Sequence, residues 1–569
     1  MKKKFGVSQK VENPKLVGEF LDELCLNPPK DIDDLEKKKR NFAARKGGTT
    51  ILNRDLIAVM KLREKSPHPN PLLGGEGVKG KIPRNLKKLL QKRSVRTISG
   101  VTPIGILTKP YGCPGRCVYC PTDWRMPKSY LPTQPAAARA LRNNFHPYKQ
   151  VINRIKALED SGHPVSKLEI IVMGGTWSFL PTRYQSWYLK NVFDAANGEK
   201  SRDLAEAQKK NETAKRRIIG LTLETRPDHI TPEELLRMRK YGCTRIEIGV
   251  QTIDDEVSEL TKRDQPRSDV VKATKLMRDF GFKFCYHLMP GLPGSNPAKD
   301  LAMFREIFEN PDFKPDFVKI YPCQVLPNSE LANWWKKGKF EPLHDKELIK
   351  LLLKMKKIVP PWTRIMRLLR DIPVGNILSG AKFSNLRQIM KSQPGKLREV
   401  LGEKDFCKMF PSGKVKWPCN CIRCREIGFA KDLQKSDIQL VRRDYRAGDG
   451  TETFLSFESP DQKTIYALLR LRKPSSEIFA GFYPSLKDSA LIREVHSYGA
   501  EISVGDKDGK SRGQHRGLGR KLLAEAEKIA KNEWGKKKIA IIAGIGTREY
   551  YRKFGYKLWC TYMVKNLKN

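Results

Sequence analysis

From about residue 96 the chain alternates short apolar runs with amphipathic ones. The apolar runs are IGILTK, KLEIIVMGG, RIIGLTLET, RIEIGVQT, FKFCYHLMP and FVKIYP. Between them lie segments such as PYKQVINRIKALEDS, TPEELLRMRKYG, SDVVKATKLMRDFG and DLAMFREIFEN, whose apolar residues recur at helical spacing. A strand that returns through a helix pairs with the next strand in parallel. The alternation therefore predicts an α/β unit with a parallel sheet, open or closed into a barrel, over residues 96–345. In a barrel of this kind the chemistry is expected at the C-terminal ends of the strands.

Residues 1–95 read differently. VGEFLDELCL and IDDLEKKKRNFAARK have helical spacing, and RNLKKLLQKRSVRT reads as a short helix bristling with Lys and Arg. SPHPNPLLGGEGVKG, residues 66–80, carries too much Pro and Gly for a regular element and reads as an exposed loop. Residues 346–436 are mixed, with DKELIKLLLKMKKIV helical, WTRIMRLLRDIP partly so and FSNLRQIMKSQ a further helix. Residues 437–569 are strand-rich: IQLVRRDY, TETFLSFES, TIYALLRLRKP, EIFAGFYPS, LIREVHSYG and EISVG precede the helix LGRKLLAEAEKIAKNEW and the strand KIAIIAGI. This segment reads as a separate α/β domain in which an antiparallel sheet precedes a helix.

Lys and Arg number 109 against 63 Asp and Glu, a formal net charge of +46. So large a surplus points to a polyanionic partner, because neutralising phosphates releases counterions. No apolar run approaches the length that spans a bilayer. The N-terminus MKKKFGVSQKVENPK has no apolar run behind its basic residues, which argues against a secretory leader and for a cytoplasmic location.

The 12 cysteines include two tight sets. In a cytosolic chain such clustering argues for metal ligation over disulfides. Cys113-Pro-Gly-Arg-Cys117-Val-Tyr-Cys120 follows the first strand. Three thiolates on one loop can hold one corner each of a [4Fe–4S] cubane and leave the fourth iron open; zinc with a fourth ligand from elsewhere is the alternative. Cys419-Asn-Cys421-Ile-Arg-Cys424 lies at the junction of the two domains, where a zinc ion would staple an irregular segment. Cys407, Cys323, His287 and His344 are candidates for its fourth ligand, and a second iron–sulfur cluster is the alternative. Later, Gln514-His515-Arg516-Gly517-Leu518-Gly519 opens a helix, and such a turn presents free backbone N–H groups to a pyrophosphate.

The first cysteine loop, with Tyr119 before Cys120 and the strand series around it, resembles the radical S-adenosylmethionine superfamily. The resemblance implies that the open iron binds S-adenosylmethionine and that Met173-Gly174-Gly175-Thr176 holds its amine. It directs attention to Gln251 and to the strand ends Glu224–Asp228 and His287–Gly294. Lys109 faces an anionic cofactor group or is a plain surface lysine. The Gln514–Gly519 string resembles the acetyl-CoA loop of GCN5-related N-acetyltransferases, in which Tyr550 and Tyr551 would approach the thioester while Tyr556 fills the core. Together with IIVMGGTW, LVRRDY and LIREVHSYG, the two modules in this order resemble the Elongator catalytic subunit family, the tRNA uridine-34 carboxymethyltransferases, from about residue 80 onward.

That resemblance implies an enzyme that holds a tRNA anticodon stem-loop, partly through the basic N-terminal extension. It transfers an acetyl-CoA-derived carboxymethyl group by radical chemistry to C5 of the wobble uridine, giving 5-carboxymethyluridine. It implies S-adenosylmethionine, the [4Fe–4S] cluster, Zn2+ and acetyl-CoA. A reductant protein would supply the cluster's electron, and self-association is compatible with the reading but not required by it. The competing function is a protein lysine acetyltransferase with a structural or vestigial radical module. Hydrogen abstraction needs near-contact, so the sequence reading expects the acetyl thioester in one cleft shared with the barrel mouth.

Overall fold

A computed structural model describes residues 11, 13–65, 82–83, 86, 89–91, 100–383, 385–415, 419–427, 438–474, 482–498 and 517–567. The basic segment from Arg84 to Arg96 lies largely outside these residues. So do the loop 66–80, the expected strand EISVG and the residues Gln514, His515 and Arg516. The chain divides into two compact units, residues 1–102 with 152–166 and residues 103–151 with 167–569.

The first unit is helical, as its spacing predicts. Asn13 caps the helix Pro14–Leu26 by accepting from the Leu16 N–H, and Asp31 caps Ile32–Arg45 by accepting from Asp34. A third helix runs Asn53–Lys65. Phe20, Leu21, Leu24, Leu35, Phe42, Leu56 and Met60 close the core between them. The lysines and arginines are left on the outside of this bundle. Where one is partly buried it is paired, as Arg63 is with Asp22 at 2.5 Å.

The second unit holds two sheets of seven strands each. The first sheet comprises β1 (Val101–Leu107), β2 (Lys167–Met173), β3 (Arg217–Thr225), β4 (Arg245–Gln251), β5 (Lys283–Leu288), β6 (Phe317–Ile320) and β7 (Arg364–Arg367). They lie in sequence order, and β2 to β7 pair in parallel. This is the parallel α/β sheet that the alternation predicts, and of the two forms left open it is the partial β/α barrel of the radical S-adenosylmethionine resemblance. β7 corrects the reading of WTRIMRLLRDIP as partly helical and extends the sheet beyond residue 345. Ile365 is fully buried, and Arg364 and Ile365 find partners on the free edge of β6; tertiary pairing overrides the local helical spacing.

The second sheet comprises β8 (Gln439–Ala447), β9 (Gly450–Glu458), β10 (Ile465–Lys473), β11 (Ser489–Ser497), β12 (Lys538–Ile541), β13 (Lys557–Trp559) and β14 (Tyr562–Asn566), in the order β13-β14-β12-β11-β10-β9-β8. Its first four strands form an antiparallel meander, as expected. The described end of EIFAGFYPS is not a strand but a short 3-10 turn, Pro484–Leu486, where the proline removes a ladder donor. The helix Leu518–Lys528 buries Leu518, Leu522, Leu523 and Ala526 against the sheet. β11 and β12 pair in parallel only over Ser489–Ile492 and Lys538–Ile541, so β11 runs on past its partner.

The second sheet packs on the N-terminal ends of the barrel strands. Arg493 donates to Asp316 Oδ2 at 2.5 Å, to Glu452 Oε2 at 2.9 Å and to the Phe282 carbonyl at 2.7 Å. Arg470 bonds Glu494 and the Trp362 carbonyl, and Arg472 bonds Asp279. Phe282, Asp316 and Trp362 all precede strands. Gly544 and Gly546 lie against the β3 backbone, where a Cβ on Gly544 would meet the Ile219 carbonyl oxygen at 2.1 Å. Only glycine permits that approach. These contacts correct the expected docking at the barrel mouth: the two domains are joined at the opposite end of the strands. The reason is chemical, since the arginines of β10 and β11 are fully buried and need the carboxylates and carbonyls found at the strand starts.

Candidate functional site

The first cysteine loop leaves β1 at the C-terminal end, as predicted. Thr108 ties it to β2: its N–H donates to the Met173 carbonyl at 3.0 Å and its hydroxyl to the Gly174 carbonyl at 3.2 Å. Gly174 has φ +131, and a Cβ there would meet Thr108 Oγ1 at 2.2 Å. Gly175, at φ +85, faces open space. The two glycines thus form a cradle that any side chain would strain or fill. Lys109 is exposed; its N–H donates to the Tyr184 hydroxyl at 3.0 Å and its ammonium lies 5.1 Å from the centre of that ring.

Within the loop Cys117 is buried and Cys113 Sγ lies 3.8 Å from Thr176 Oγ1. Arg263 Nη1 lies 3.7 Å from Cys117 Sγ, and its other nitrogen donates to the Gly249 carbonyl. The Arg263 carbonyl accepts from Arg226 Nη2 at 3.2 Å, and Asp228 holds Arg226 at 2.8 Å. The hydrogen bond shared with Cys120 and the Arg263 guanidinium hold the Cys117 thiol down to about 5 against the effect of burial. Cys120 is pushed well up by that same shared bond and by burial. The Arg263 guanidinium beside Cys117 favours the thiolate form at that position, the form in which a cysteine binds a metal.

Several polar atoms around this loop are buried and have no partner among the described residues: Tyr119 Oη, Arg226 Nη1, Gln251 Oε1 and Arg263 Nε. Gln251 ends β4 with φ +66. Buried groups of this kind need polar partners. A zwitterionic, hydroxyl-bearing molecule carries donors and acceptors of the kind these atoms lack. These residues therefore fit the cofactor that the sequence reading implies.

Below the mouth the barrel lumen is a ladder of charges. Tyr130 donates to Glu224 at 3.0 Å, and the ring of His287 lies between Glu224 at 3.5 Å and Glu247 at 2.9 Å. Glu247 is also bonded by Lys319, and Arg245 bonds Glu169 at 2.5 Å. Burial would raise Glu247, but Lys319, then His287 and Arg245, outweigh it and hold the carboxyl well below the usual range. Glu247, Cys285 and His287 bring ligand atoms within 4.8 Å of one another. Lys319 and Arg245 already balance the charge there, so this trio needs no metal.

The second cysteine set is tighter than the first. Cys419, Cys421 and Cys424 lie with their sulfurs all within 4.8 Å of one another, and Cys421 and Cys424 are 3.6 Å apart. A tetrahedral zinc with bonds of about 2.3 Å has sulfur–sulfur edges of about 3.8 Å, so this trio fits three corners of one ion. Cys419 and Cys424 hold the Cys421 thiol well below its ordinary value. The Ile422 N–H donates to the Thr363 carbonyl at 3.0 Å, which fixes the set beside the start of β7. The expected fourth ligands lie elsewhere. Cys323 packs with Cys117 and Val118, His287 is in the lumen, His344 bonds Glu341, and Cys407 is exposed beside Glu403.

In the second domain Gly517 opens the helix Leu518–Lys528 at φ +91 with open space around it. A Cβ on Gly519 would meet the Tyr550 hydroxyl at 2.9 Å and Ser497 Oγ at 3.7 Å. Tyr550 is 42% exposed and stands beside this helix start. Tyr551 is buried in the core cluster, as is Tyr556, whose hydroxyl donates to Glu527. The structure thus brings Tyr550 to the glycine turn and places Tyr551 behind it. Arg226 lies in the strand end Glu224–Asp228 that the sequence marks, whereas Arg263 carries no sequence signal as a site residue, being one arginine in a basic chain.

The described helices include none long and apolar enough to cross a membrane. Residues 107–307 match the model of the Radical SAM superfamily, and residues 315–393 match that of the Radical_SAM C-terminal domain. A tRNA uridine(34) acetyltransferase of Dehalococcoides mccartyi is 44% identical over 84% of this chain and 100% of its own length. Human Elongator complex protein 3 is 38% identical over 86% of this chain and 88% of its own. The solved structure of the archaeal Methanocaldococcus infernus Elp3 with an N-terminal deletion is 42% identical. It aligns with a TM-score of 0.68 over 83% of this chain and 100% of that one. The chain therefore belongs to the radical-SAM family of Elongator complex protein 3.

Proposed function

We propose that this chain is a tRNA wobble-uridine carboxymethyltransferase that uses acetyl-CoA and S-adenosylmethionine. Cys113, Cys117 and Cys120 hold a [4Fe–4S] cluster, and Gly174, Gly175 and Gln251 seat the cofactor beside it. Bound together, cluster and cofactor supply a 5′-deoxyadenosyl radical able to take hydrogen from an acetyl methyl group. The observation that carries this reading is geometric: the three-cysteine loop leaves the end of the first strand beside the Gly174–Gly175 turn, with the Arg263 guanidinium 3.7 Å from Cys117 Sγ.

The protein's own residues orient and shield. Arg263 steadies the Cys117 thiolate, and Arg226 steadies Arg263. Lys109 stands at the rim for an anionic group. Gly517, Leu518 and Gly519 offer backbone N–H groups at a helix start for the CoA pyrophosphate, and Gln514, His515 and Arg516 are the other candidates for that group in the string. Tyr550 is placed to approach the thioester, and Tyr551 backs it. Cys419, Cys421 and Cys424 hold a structural zinc. The +46 charge and basic N-terminal extension favour tRNA as the partner.

The test is nucleoside analysis of tRNA after anaerobic incubation with both co-substrates. Wild-type protein should form 5-carboxymethyluridine, and both C117A and G517E should form none. A folded G517E that binds no acetyl-CoA and still modifies tRNA would defeat the proposal.

A further inference from the structure

The mouth of the barrel has an outer side that the proposed reaction does not use. A cleft of about 620 Å³ opens there, lined by Leu260, Pro293, Trp334, Lys337, Lys339 and Phe340 among others. Trp334 and Phe340 pack against an apolar cluster that contains Cys117, Val118, Tyr119, Leu292 and Leu331. The Leu331 N–H donates to the Val118 carbonyl at 2.8 Å, so the helix Glu330–Lys336 that lines the cleft is bonded directly to the residue after Cys117. One layer of side chains separates the cleft from the loop.

The cleft has an apolar centre and a cationic rim. Leu260 is 47% exposed, an unusual position for a leucine bordering a buried cluster. Lys337 and Lys339 are exposed and make no ion pair among the described residues. The one acid in the lining, Glu330, is already taken by Lys262 at 2.6 Å. Weak redox encounters use small contacts, in which charge complementarity steers approach and a small apolar centre makes the touch.

We propose that this cleft is the docking face for an acidic one-electron carrier protein that reduces the cluster. This inference rests on the proposed cluster at Cys113, Cys117 and Cys120. In the transfer the carrier loses one electron and the oxidised cluster gains it, and no bond forms or breaks. The hydrogen bond from Leu331 to Val118 links the cleft's helix to the residue next to Cys117. Two free lysines beside an apolar centre suit a small acidic protein better than an RNA backbone, which asks for a longer basic track.

The experiment uses the anaerobically reconstituted full chain with its iron counted first. Reduced flavodoxin, an acidic flavoprotein, and dithionite serve as separate reductants, with cluster reduction followed by stopped-flow absorbance and electron paramagnetic resonance. Flavodoxin binding is measured separately by titration. In the double variant Lys337→Glu/Lys339→Glu the flavodoxin-driven rate should fall about tenfold or more at low salt, and the difference should shrink as salt is added. Flavodoxin affinity should fall in parallel, while the dithionite rate and tRNA affinity should not change. Equal flavodoxin rates in variant and wild type would overturn the docking site. A matching loss with dithionite, or a loss of tRNA affinity, would overturn it too. A wild-type chain that binds no iron–sulfur cluster fails at the first step and refutes the underlying reading instead.

Discussion

The two ends of the barrel are built on opposite rules. At the mouth, the cysteine loop is open, Gly175 faces empty space, and four buried polar atoms have no partner among the described residues. At the base, Arg493 and Asp316 are locked by paired charges, glycines press against a backbone, and three thiols crowd within 4.8 Å. One end keeps bonding capacity in reserve for a ligand. The other sets buried arginines against carboxylates and backbone carbonyls and so holds two domains together. The same residue types, cysteine, arginine and glycine, serve both ends, and their spacing decides which task they perform.

The largest expected effect falls at the base. Removing one thiol of the second set with C421A should release zinc and destabilise the junction by several kcal/mol, because structural zinc contributes directly to folding. Differential scanning calorimetry with metal counting checks this; unchanged stability with zinc retained would separate the set from the base's structural role. Next, Arg493→Met leaves Asp316 and Glu452 short of a buried partner. It should cost about 3–5 kcal/mol in urea unfolding, whereas a mouth variant that removes no buried pair should cost far less.

Much of the mouth was legible in the sequence and little of the base was. Cys113–Cys120 and Gly174–Gly175 lie on short continuous strings whose spacing carries chemistry. Apart from the Cys419–Cys424 string, the base is assembled from single residues far apart: Arg493 meets Asp316 across 177 positions. No local pattern announces such a pair. β7 was read as helix because RIMR becomes a strand only when β6 offers it an edge. Arg245 and Glu247 did leave a trace, as charges at alternate positions in the otherwise apolar strand RIEIGVQ. Tyr551 shows the limit of motif reading, since its neighbour Tyr550 faces the glycine turn while Tyr551 faces the core.

A mid-sized effect separates the two glycines of the mouth. Gly174→Ala forces a Cβ into Thr108 at a positive φ and should weaken S-adenosylmethionine binding by about ten- to a hundredfold, matching a strain of about 1–3 kcal/mol. Gly175→Ala meets open space and should weaken it less; isothermal titration on the cluster-loaded protein ranks them. If the two lose equally, the cradle is not shaped by the Thr108 contact.

The smallest effect is a pH dependence at the mouth. Asp300 accepts from the Gly291 N–H at 2.7 Å and from the Ser295 hydroxyl at 2.6 Å in the turn after β5. Burial pushes its carboxyl up to about 6. A raised folded value favours the fold at low pH, and that contribution is lost as pH rises through about 6. Wild type should therefore lose roughly 2 kcal/mol relative to D300N between about pH 4 and pH 7. Parallel stability curves for the two proteins over that window would show that Asp300 does not carry the dependence.

The contrast between the two ends is tested most directly by counting iron, sulfide and zinc in wild type, C117A and C421A prepared side by side without oxygen. The mouth and the base should be independent. C117A should lose its iron and sulfide and keep about one zinc, and C421A should lose zinc while its soluble fraction keeps the cluster. Zinc lost from C117A with iron retained, or iron lost from C421A with zinc retained, would contradict the assignment of an open catalytic centre to one end and a closed structural ion to the other.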